Sequence, residues 1–344
     1  MGSAVSVIIP TYNRARLVSR AVKSALAAVA PGDEVIVVDD ASTDDTQEAL
    51  GSFGERIRYF RTDTNAGAGA ARNRGIREAR CPLIAFLDSD DEWSHDRLAL
   101  GRAVLDAHPE VVLACSDFSV KDSLGVVEPG FLARWHAGRR PWEEILGPGV
   151  AFSSIAPLPP GRADFRVRFG DLFTAMAGAP FVLTSTSLVR HGLARDALCF
   201  PGDVRVLEDW ECFGRLARTG PVALLACETA CQHRHSGPRL SRADEHDYVT
   251  ARIAMLERVW AQDERYVAAH GTVLEALLRD LQLRRVRALL RRGRALDARE
   301  ALRRARGAPF SHRALAALPG FIAQGVLAVR EATKEFASAA NRRA

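Results

Sequence analysis

The sequence predicts an α/β protein: a mostly parallel, doubly wound sheet followed by an α-helical appendage. Three observations lead there. Short β-branched runs alternate with helical stretches from Val5 to Cys115, two of those runs end abruptly in acids, and the composition turns rich in Ala, Leu and Arg beyond Ser241.

Val5 to Pro10, VSVIIP, is a β-branched strand stopped by proline, and Tyr12, Asn13 and Arg14 turn the chain into a helix from about Ala15 to Ala30. Glu34 to Val38 is the second strand; it runs into Asp39 and Asp40, after which Ser42, Thr43 and Asp44 offer N-cap oxygens to the next helix. Arg56 to Arg61 reads as a weaker third strand, Ala68 to Ala79 as an alanine-rich helix and Leu83 to Leu87 as the fourth strand. Asp96 to Ala107 is the next helix and Val111 to Cys115 the fifth strand. Repeated alternation of this kind is satisfied by parallel strands with right-handed crossovers. From Phe118 to Pro180 the pattern dissolves into loop containing Gly, Pro and Trp, expected to cover one side of the binding crevice. Phe181 to Val189 is expected as a strand, Leu207 to Arg218 as a helix with Trp210, Phe213, Leu216 and Ala217 on one face, and Val222 to Ala226 as a last strand. A boundary near Pro238 to Arg242 separates a sheet domain, residues 1–240, from a helical region, residues 241–344, which Gly293, Gly307, Pro309 and Pro319 divide into several helices.

At 344 residues and 47% hydrophobic composition the chain can bury a large core. No apolar stretch follows a basic start, so no signal peptide is expected, and no apolar run approaches the ~20 residues that a spanning helix needs. The expected location is the cytoplasm, or its surface at the inner face of the cell membrane. Six cysteines lie scattered without a paired framework, which suits a reducing compartment. Cys227, Cys231, His233 and His235 can be written as a zinc site, but they fall within nine residues with no second half, and buried thiols on a strand are the simpler reading.

The formal net charge is +5, and the excess sits near the C-terminus, where Arg284, Arg285, Arg287, Arg291, Arg292, Arg294, Arg299, Arg303, Arg304 and Arg306 face only Asp297 and Glu300 within the run. A solvated helix face is the default reading. An anionic membrane surface is the functional alternative, so membrane docking and oligomerisation as a homo-oligomer both stay open for this region. Nucleic acid is not expected as a partner, because aromatic residues are absent from Val273 to Pro309.

In doubly wound sheets ligands bind beyond the carboxyl ends of the strands. Pro10 to Arg14, Asp39 to Asp40 and Asp88 to Asp91 all fall there. Side chains two apart on an extended backbone point the same way, so Asp88 and Asp90 are expected to present two carboxylates to one point. Mg²⁺ or Mn²⁺ held by one or two carboxylates takes its remaining ligands from water and substrate phosphates, which suggests a nucleotide-linked substrate. For the acidic run alone, an N-cap by Ser89 or Asp91 accounts for it as well.

Taken together, VSVIIPTYNR, EVIVVDDASTDDT, NAGAGAARNRG and IAFLDSDDEW resemble the N-terminal half of the family 2 glycosyltransferases, and VLEDWECFGRLAR and QHRHSGPRLS resemble that family's C-terminal catalytic elements. The resemblance covers about Val5 to Ser241. It implies the GT-A fold, with its Rossmann-like sheet, and transfer of a sugar with inversion from a UDP- or GDP-linked nucleoside diphosphate sugar to a hydroxyl of a glycan or lipid-linked acceptor, in cell-surface polysaccharide synthesis. Carried over by residue, it implies that Pro10, Thr11, Tyr12 and Arg14 line the nucleotide pocket and that Asp40 hydrogen-bonds the base. Asn65, Gly67, Arg72, Asn73 and Gly75 match the family's N-x-G-x-x-x-A-R-N-x-G segment, with Arg72 on the donor. Asp88 is implied at the ribose, Asp90 at a Mn²⁺ or Mg²⁺ ion, His235 as a further metal or phosphate ligand, and Asp209 as the catalytic base.

A dinucleotide fingerprint fails because Arg72 holds the third glycine position and the segment follows the third strand, not the first. A sugar nucleotidylyltransferase needs a Gly-rich loop where PTYNR stands. Glu208 and Asp209, taken alone, read as charge balance for a helix N-terminus. A catalytically silent nucleotide-sugar-binding module and a membrane-associated scaffold are the alternatives from other classes.

Overall fold

The apolar runs of the N-terminal half form neighbouring strands of one mixed sheet in the computed structural model, which describes residues 2–135, 141–194, 196–234, 244–304, 310–318 and 322–324. In chain order the strands are β1 (Val5–Thr11), β2 (Glu34–Asp39), β3 (Arg58–Arg61), β4 (Leu83–Phe86), β5 (Asp91–Trp93), β6 (Leu113–Lys121), β7 (Val127–Glu128), β8 (Val150–Ala151), β9 (Arg166–Gly170), β10 (Leu188–Arg190) and β11 (Val222–His233). Between the first of them run helices α1 (Ala15–Ala28), α2 (Thr46–Gly51), α3 (Ala68–Glu78) and α4 (Arg97–Ala107). The order across the sheet is β3-β2-β1-β4-β10-β6-β11-β9-β8, with β5 on β11 and β7 on β6.

Strands β1, β2, β3 and β4 pair in parallel, as do β6 and β11, whereas β10 runs antiparallel to both of its neighbours. The sheet reverses its winding between β1 and β4, because β2 and β3 are added on one side of β1 and β4 on the other. In doubly wound sheets ligands bind at such a switch point, beyond the strands' carboxyl ends. Val7, Ile8, Ile9, Ile36, Val37, Val38, Leu83, Ile84 and Phe86 are all buried, as parallel strands covered on both faces require. The approach of α3 to β1 is set by Gly75, where a Cβ would lie 2.4 Å from Cγ2 of Ile8; the helix can sit this close only with no side chain at that position.

Three expectations need correction. The stretch from Phe118 to Pro180 is not irregular throughout: it contains the end of β6 and all of β7, β8 and β9. The strand expected over Phe181 to Val189 is confined to Leu188–Arg190, preceded by a 3₁₀ turn at Thr184–Thr186. Its hydroxyls explain the difference, since Thr186 Oγ1 donates to the Leu183 carbonyl at 2.9 Å and Ser187 Oγ to that of Thr184 at 2.7 Å, offering the backbone a local alternative to the ladder. The last strand extends to His233, past register shifts between Leu225 and Ala230 that the polar Glu228 and Thr229 disguise in sequence.

The chain divides into two compact units, Met1–Pro238 and Arg239–Ala344. The second unit consists, among the described residues, of helices Glu245–Val259, Glu264–Arg291, Ala295–Arg304 and Phe310–Ala317. The side chains of Asp244 and Asp263 cap the first two by accepting from the backbone N–H groups of His246 and Tyr266. Val286, Leu289, Leu290, Ala298, Ala301, Leu315 and Ala323 form its apolar core. Much of the arginine excess is matched inside this unit. Arg284 and Arg291 pair with Glu245, Arg292 lies 2.6 Å from Asp244, Arg294 2.7 Å from Asp297, and Arg303 pairs with Glu300. No helix among the described residues is long and apolar enough to cross a membrane.

Candidate active site

β4 ends at Phe86, and the acids that follow lie on a tight turn closed by the Asp91 N–H donating to the Asp88 carbonyl at 3.0 Å. Asp88 and Asp90 are therefore presented by a turn, not by the extended backbone expected from their spacing. Asp91 then enters β5, whose pairing with β11 sets Asp91 opposite Gln232. The hydroxyl of Ser185 fastens the turn from below: it accepts from the Asp88 N–H at 3.1 Å and donates to the buried Asp91 carboxylate. Trp93 Nε1 and Arg97 Nη2 in turn hold the carbonyls of Ser185 and Thr186.

The same hydroxyl-rich segment reaches the second acidic pair. Thr184 Oγ1 lies 3.4 Å from Asp209 Oδ2, at the start of helix Glu208–Thr219. Asp209 Oδ1 also accepts from the Trp210 N–H at 2.8 Å. Trp210 itself is buried and donates its indole N–H to the Met176 carbonyl at 2.7 Å, so it packs the helix. Glu208 is buried and Asp209 half-buried, so the helix start directs one carboxylate inward and leaves its neighbour accessible.

Arg72 joins these groups across 136 residues of sequence. Its guanidinium is buried on α3, with Nη2 2.7 Å from Asp88 Oδ1 and Nη1 3.0 Å from Glu208 Oε1. It lies over the Phe200 ring, 5.1 Å from the centroid. Arg72, expected at the donor, thus has both terminal nitrogens on protein carboxylates.

The loops after β1 and β2 interlock. The Asn13 and Arg14 N–H groups donate to Ser42 Oγ and Thr46 Oγ1 at 2.9 and 3.0 Å, and Asn13 Oδ1 accepts from the Thr43 N–H at 2.8 Å. Pro10 and Thr11 are buried at the end of β1, Tyr12 exposes 42% of its surface, and Arg14 Nη2 stands 3.8 Å from Asp90 Oδ2. Asp40 is held apart from the Arg72 cluster: its carboxylate accepts from the Ala66 and Gly67 N–H groups at 3.1 and 2.7 Å and from Thr62 Oγ1 at 3.1 Å. Gly67, at φ +94°, adopts there a conformation that side chains resist. The non-glycine residues with positive φ among those described are Asn13, Ala41 and Leu207, at φ +50°, +63° and +63°. All three lie in loops beside the candidate site, where such strain tends to collect.

Of the remaining sequence candidates, His235 lies outside the described residues. His233 Nε2 is 3.0 Å from Glu92 Oε2, and burial together with the nearby Arg20 charge lowers its basicity. Cys227 and Cys231 lie along β11 as free thiols, and burial pushes Cys227 up to about 12.

Like charges crowd the site. Desolvation raises Asp88 above its ordinary range, with Asp90 and Asp209 adding repulsion and Arg72 opposing it. Desolvation and then the adjacent Asp209 push Glu208 up to about 7, again against Arg72. Both Asp88 and Glu208 therefore register Asp209 as a close negative neighbour. Two hard carboxylates on one turn, with Glu208 and Asp209 close by, fit a divalent cation that draws further ligands from substrate phosphates. Three side chains near enough to share one ion occur, among the described residues, only at Asp244, His246 and Asp247 of the second unit.

The Glu208 shift has a consequence for stability. An unfolded glutamate ionises near 4.5 while the folded one keeps its proton to about 7, so the stability it contributes is present below pH 4.5 and is lost as pH rises through 7. We expect the metal-free protein to lose Tm over that window by more than Glu208→Gln does. Parallel Tm–pH curves for the two proteins would refute the assignment.

Sequence reasoning missed Thr184 and Ser185. The available signal was the run of hydroxyl residues Thr184, Ser185, Thr186 and Ser187 inside an otherwise apolar segment, all four of which are buried.

Comparison with known proteins bears on this arrangement. Residues 6–145 match the model of Glycosyl transferase family 2. The putative teichuronic acid biosynthesis glycosyltransferase TuaG of Bacillus subtilis (strain 168) is 42% identical over 97 residues, covering 27% of this chain and 38% of that relative. The match thus spans less than half of the relative's length. Among solved structures, S. aureus TarS 1–349 in complex with UDP-GlcNAc aligns with a TM-score of 0.59 at 18% identity, over 86% of this chain and 81% of that one. The mannosyltransferase PcManGT from Pyrobaculum calidifontis, in complex with GDP-Man and Mn²⁺, aligns with a TM-score of 0.52 at 20% identity, over 97% and 81%. Both likenesses concern the fold, a mixed and mostly parallel sheet of the GT-A type. With the strand-end loops of the first half matched in sequence and the sheet matched in shape, residues 6–145 make up a glycosyl transferase family 2 domain.

Proposed function

We propose that this chain is an inverting glycosyltransferase that moves a sugar from a UDP- or GDP-linked donor to a hydroxyl of a glycan or lipid-linked acceptor, in assembly of a cell-surface polysaccharide. The observation that carries the reading is the convergence of the Asp88–Asp90 turn and the Glu208–Asp209 helix start, linked through Arg72 and through the Thr184–Ser185 segment. The nucleotide donors named for TarS and PcManGT, and the polymer named for TuaG, support the substrate class.

Tyr12, half-exposed at the end of β1, offers a stacking face for a base, and Thr11 carries a buried hydroxyl without a hydrogen-bond partner among the described residues. Pro10 and Arg14 complete that wall, and Asp40 orders the loop at Ala66 and Gly67 beside it. Asp88 and Asp90 would hold Mn²⁺ or Mg²⁺, which supplies Lewis-acid neutralisation of charge on the departing diphosphate. Asp209 takes the proton of the acceptor hydroxyl. The hydroxyl oxygen then forms its bond to the anomeric carbon as the bond to the diphosphate oxygen breaks, and the configuration inverts. Asp209 is carried on the first turn of helix Glu208–Thr219, a rigid element that fixes where the base stands.

A thermal-shift panel of nucleoside diphosphate sugars, in Mn²⁺ and in chelator, tests the reading. At least one donor is expected to raise Tm in Mn²⁺ and to lose that effect in chelator. A flat response throughout, with no donor hydrolysis, would sink it.

A further inference from the structure

The Arg72 network has a geometry that nucleotide binding does not require. The two carboxylates on its fork belong to elements brought together only by the fold, the turn after β4 and the helix start at Glu208. A planar guanidinium can span them because its two terminal nitrogens diverge at a fixed angle; an ammonium is a single point charge and cannot hold both in the same geometry. The support beneath the fork is equally specific. Phe200 is fully buried, and its ring meets Phe86 edge-on at 5.3 Å and Phe213 at 6.2 Å. Phe86 ends β4, two residues before Asp88, and Phe213 lies on the helix of Glu208 and Asp209. The backbone of Phe200 is clamped at both ends by one side chain: Asn73 Nδ2 donates to its carbonyl at 2.7 Å and Asn73 Oδ1 accepts from its N–H at 2.9 Å. Asn73 directly follows Arg72, so the residue that fixes the platform and the residue that lies on it share one turn of α3.

We infer that Arg72, Phe200 and Asn73 form one brace that sets the distance and angle between the donor-side acid Asp88 and the base Asp209, acting on the base through Glu208. This rests on the proposed glycosyltransferase reading and deepens it. Arg72 is a positioning residue for both halves of the reaction, and Asn73 positions Arg72. The charge balance agrees: the guanidinium is the cation that Asp88 and Glu208 share, and Asp209 adds to its field. A small displacement of a reacting group costs on the order of 10²-fold in rate, so the brace is expected to register in turnover.

The test uses the full chain and a donor found to bind it, with donor affinity by calorimetry, kcat and Tm measured for each variant. Arg72→Lys is expected to weaken donor binding and lower kcat, each by ~10-fold or more, because the ammonium leaves one carboxylate without its partner. Glu208→Ala should lower kcat by at least ~10-fold while donor affinity stays within about threefold, since only the base side of the brace is cut. The double variant should be no slower than the slower single, because both changes break one unit. Arg72→Lys with kcat and donor affinity both within about threefold of the parent overturns the inference, as do effects on kcat that multiply in the double variant. If Arg72→Lys melts below the assay temperature, Asn73→Ala applies the same test from the far side of Phe200: a fall in kcat supports the brace and an unchanged kcat overturns it. Failure here is separable from failure of the glycosyltransferase reading, which would show as no donor binding and no transfer by the unsubstituted chain.

Discussion

Asp209→Asn is expected to lower kcat by ~10²- to 10⁴-fold with donor affinity preserved, the usual range for loss of a general base. The substitution keeps the shape of the side chain, and its amide oxygen can still accept from the Trp210 N–H as Oδ1 of Asp209 does. What it removes is proton affinity at the one carboxylate of the Glu208–Asp209 pair that remains accessible. Glu208 cannot substitute, because it is buried and turned to Arg72. Steady-state kinetics beside calorimetry decide the matter. Turnover equal to the parent would take Asp209 out of the mechanism.

Asp90→Ala should weaken Mn²⁺-dependent donor binding by ~10²-fold or more, down to the affinity the parent shows in chelator. Asp90 is the better choice than Asp88 for this experiment. Asp88 is tied to Arg72, so its loss would disturb the brace as well as the ion, whereas the Arg72 fork is held by Asp88 and Glu208 and not by Asp90. Equal donor affinity for parent and variant in Mn²⁺ would show that the turn does not carry the cation.

The parts of the fold legible in sequence were those where one local force dominates. β1, β2 and β4 are runs of buried β-branched and apolar residues, and each stops where polar or strained loop residues begin. Glycines could be placed but not explained: Gly67 and Gly75 belong to a recognisable segment, yet it is the folded chain that holds one at φ +94° under Asp40 and presses the other against Ile8. Hidden elements were those in which side chains compete with the ladder, as the hydroxyls of Thr186 and Ser187 do before β10, or in which a strand carries polar residues past a bulge, as β11 does at Glu228. In the site, the acids were visible because carboxylates at strand ends are conspicuous. The Arg72 bridge was not, since nothing local to residue 72 points to residue 208. Arg291 and Arg292 looked unmatched for the same reason: Glu245 and Asp244, which answer them, lie more than forty positions earlier.

The place of β10 bears on how the chain is made. The segment matched by the family model stops at residue 145, but β10, which joins β4 to β6, comes from Leu188–Arg190. A nascent chain released only that far owns two blocks of sheet with no strand to bridge them, and it must keep their apolar edges from other polypeptides until the bridge and β11 emerge from the ribosome. Vectorial synthesis therefore leaves the segment matched by the family model with open strand edges until the stretch that follows supplies β10 and β11.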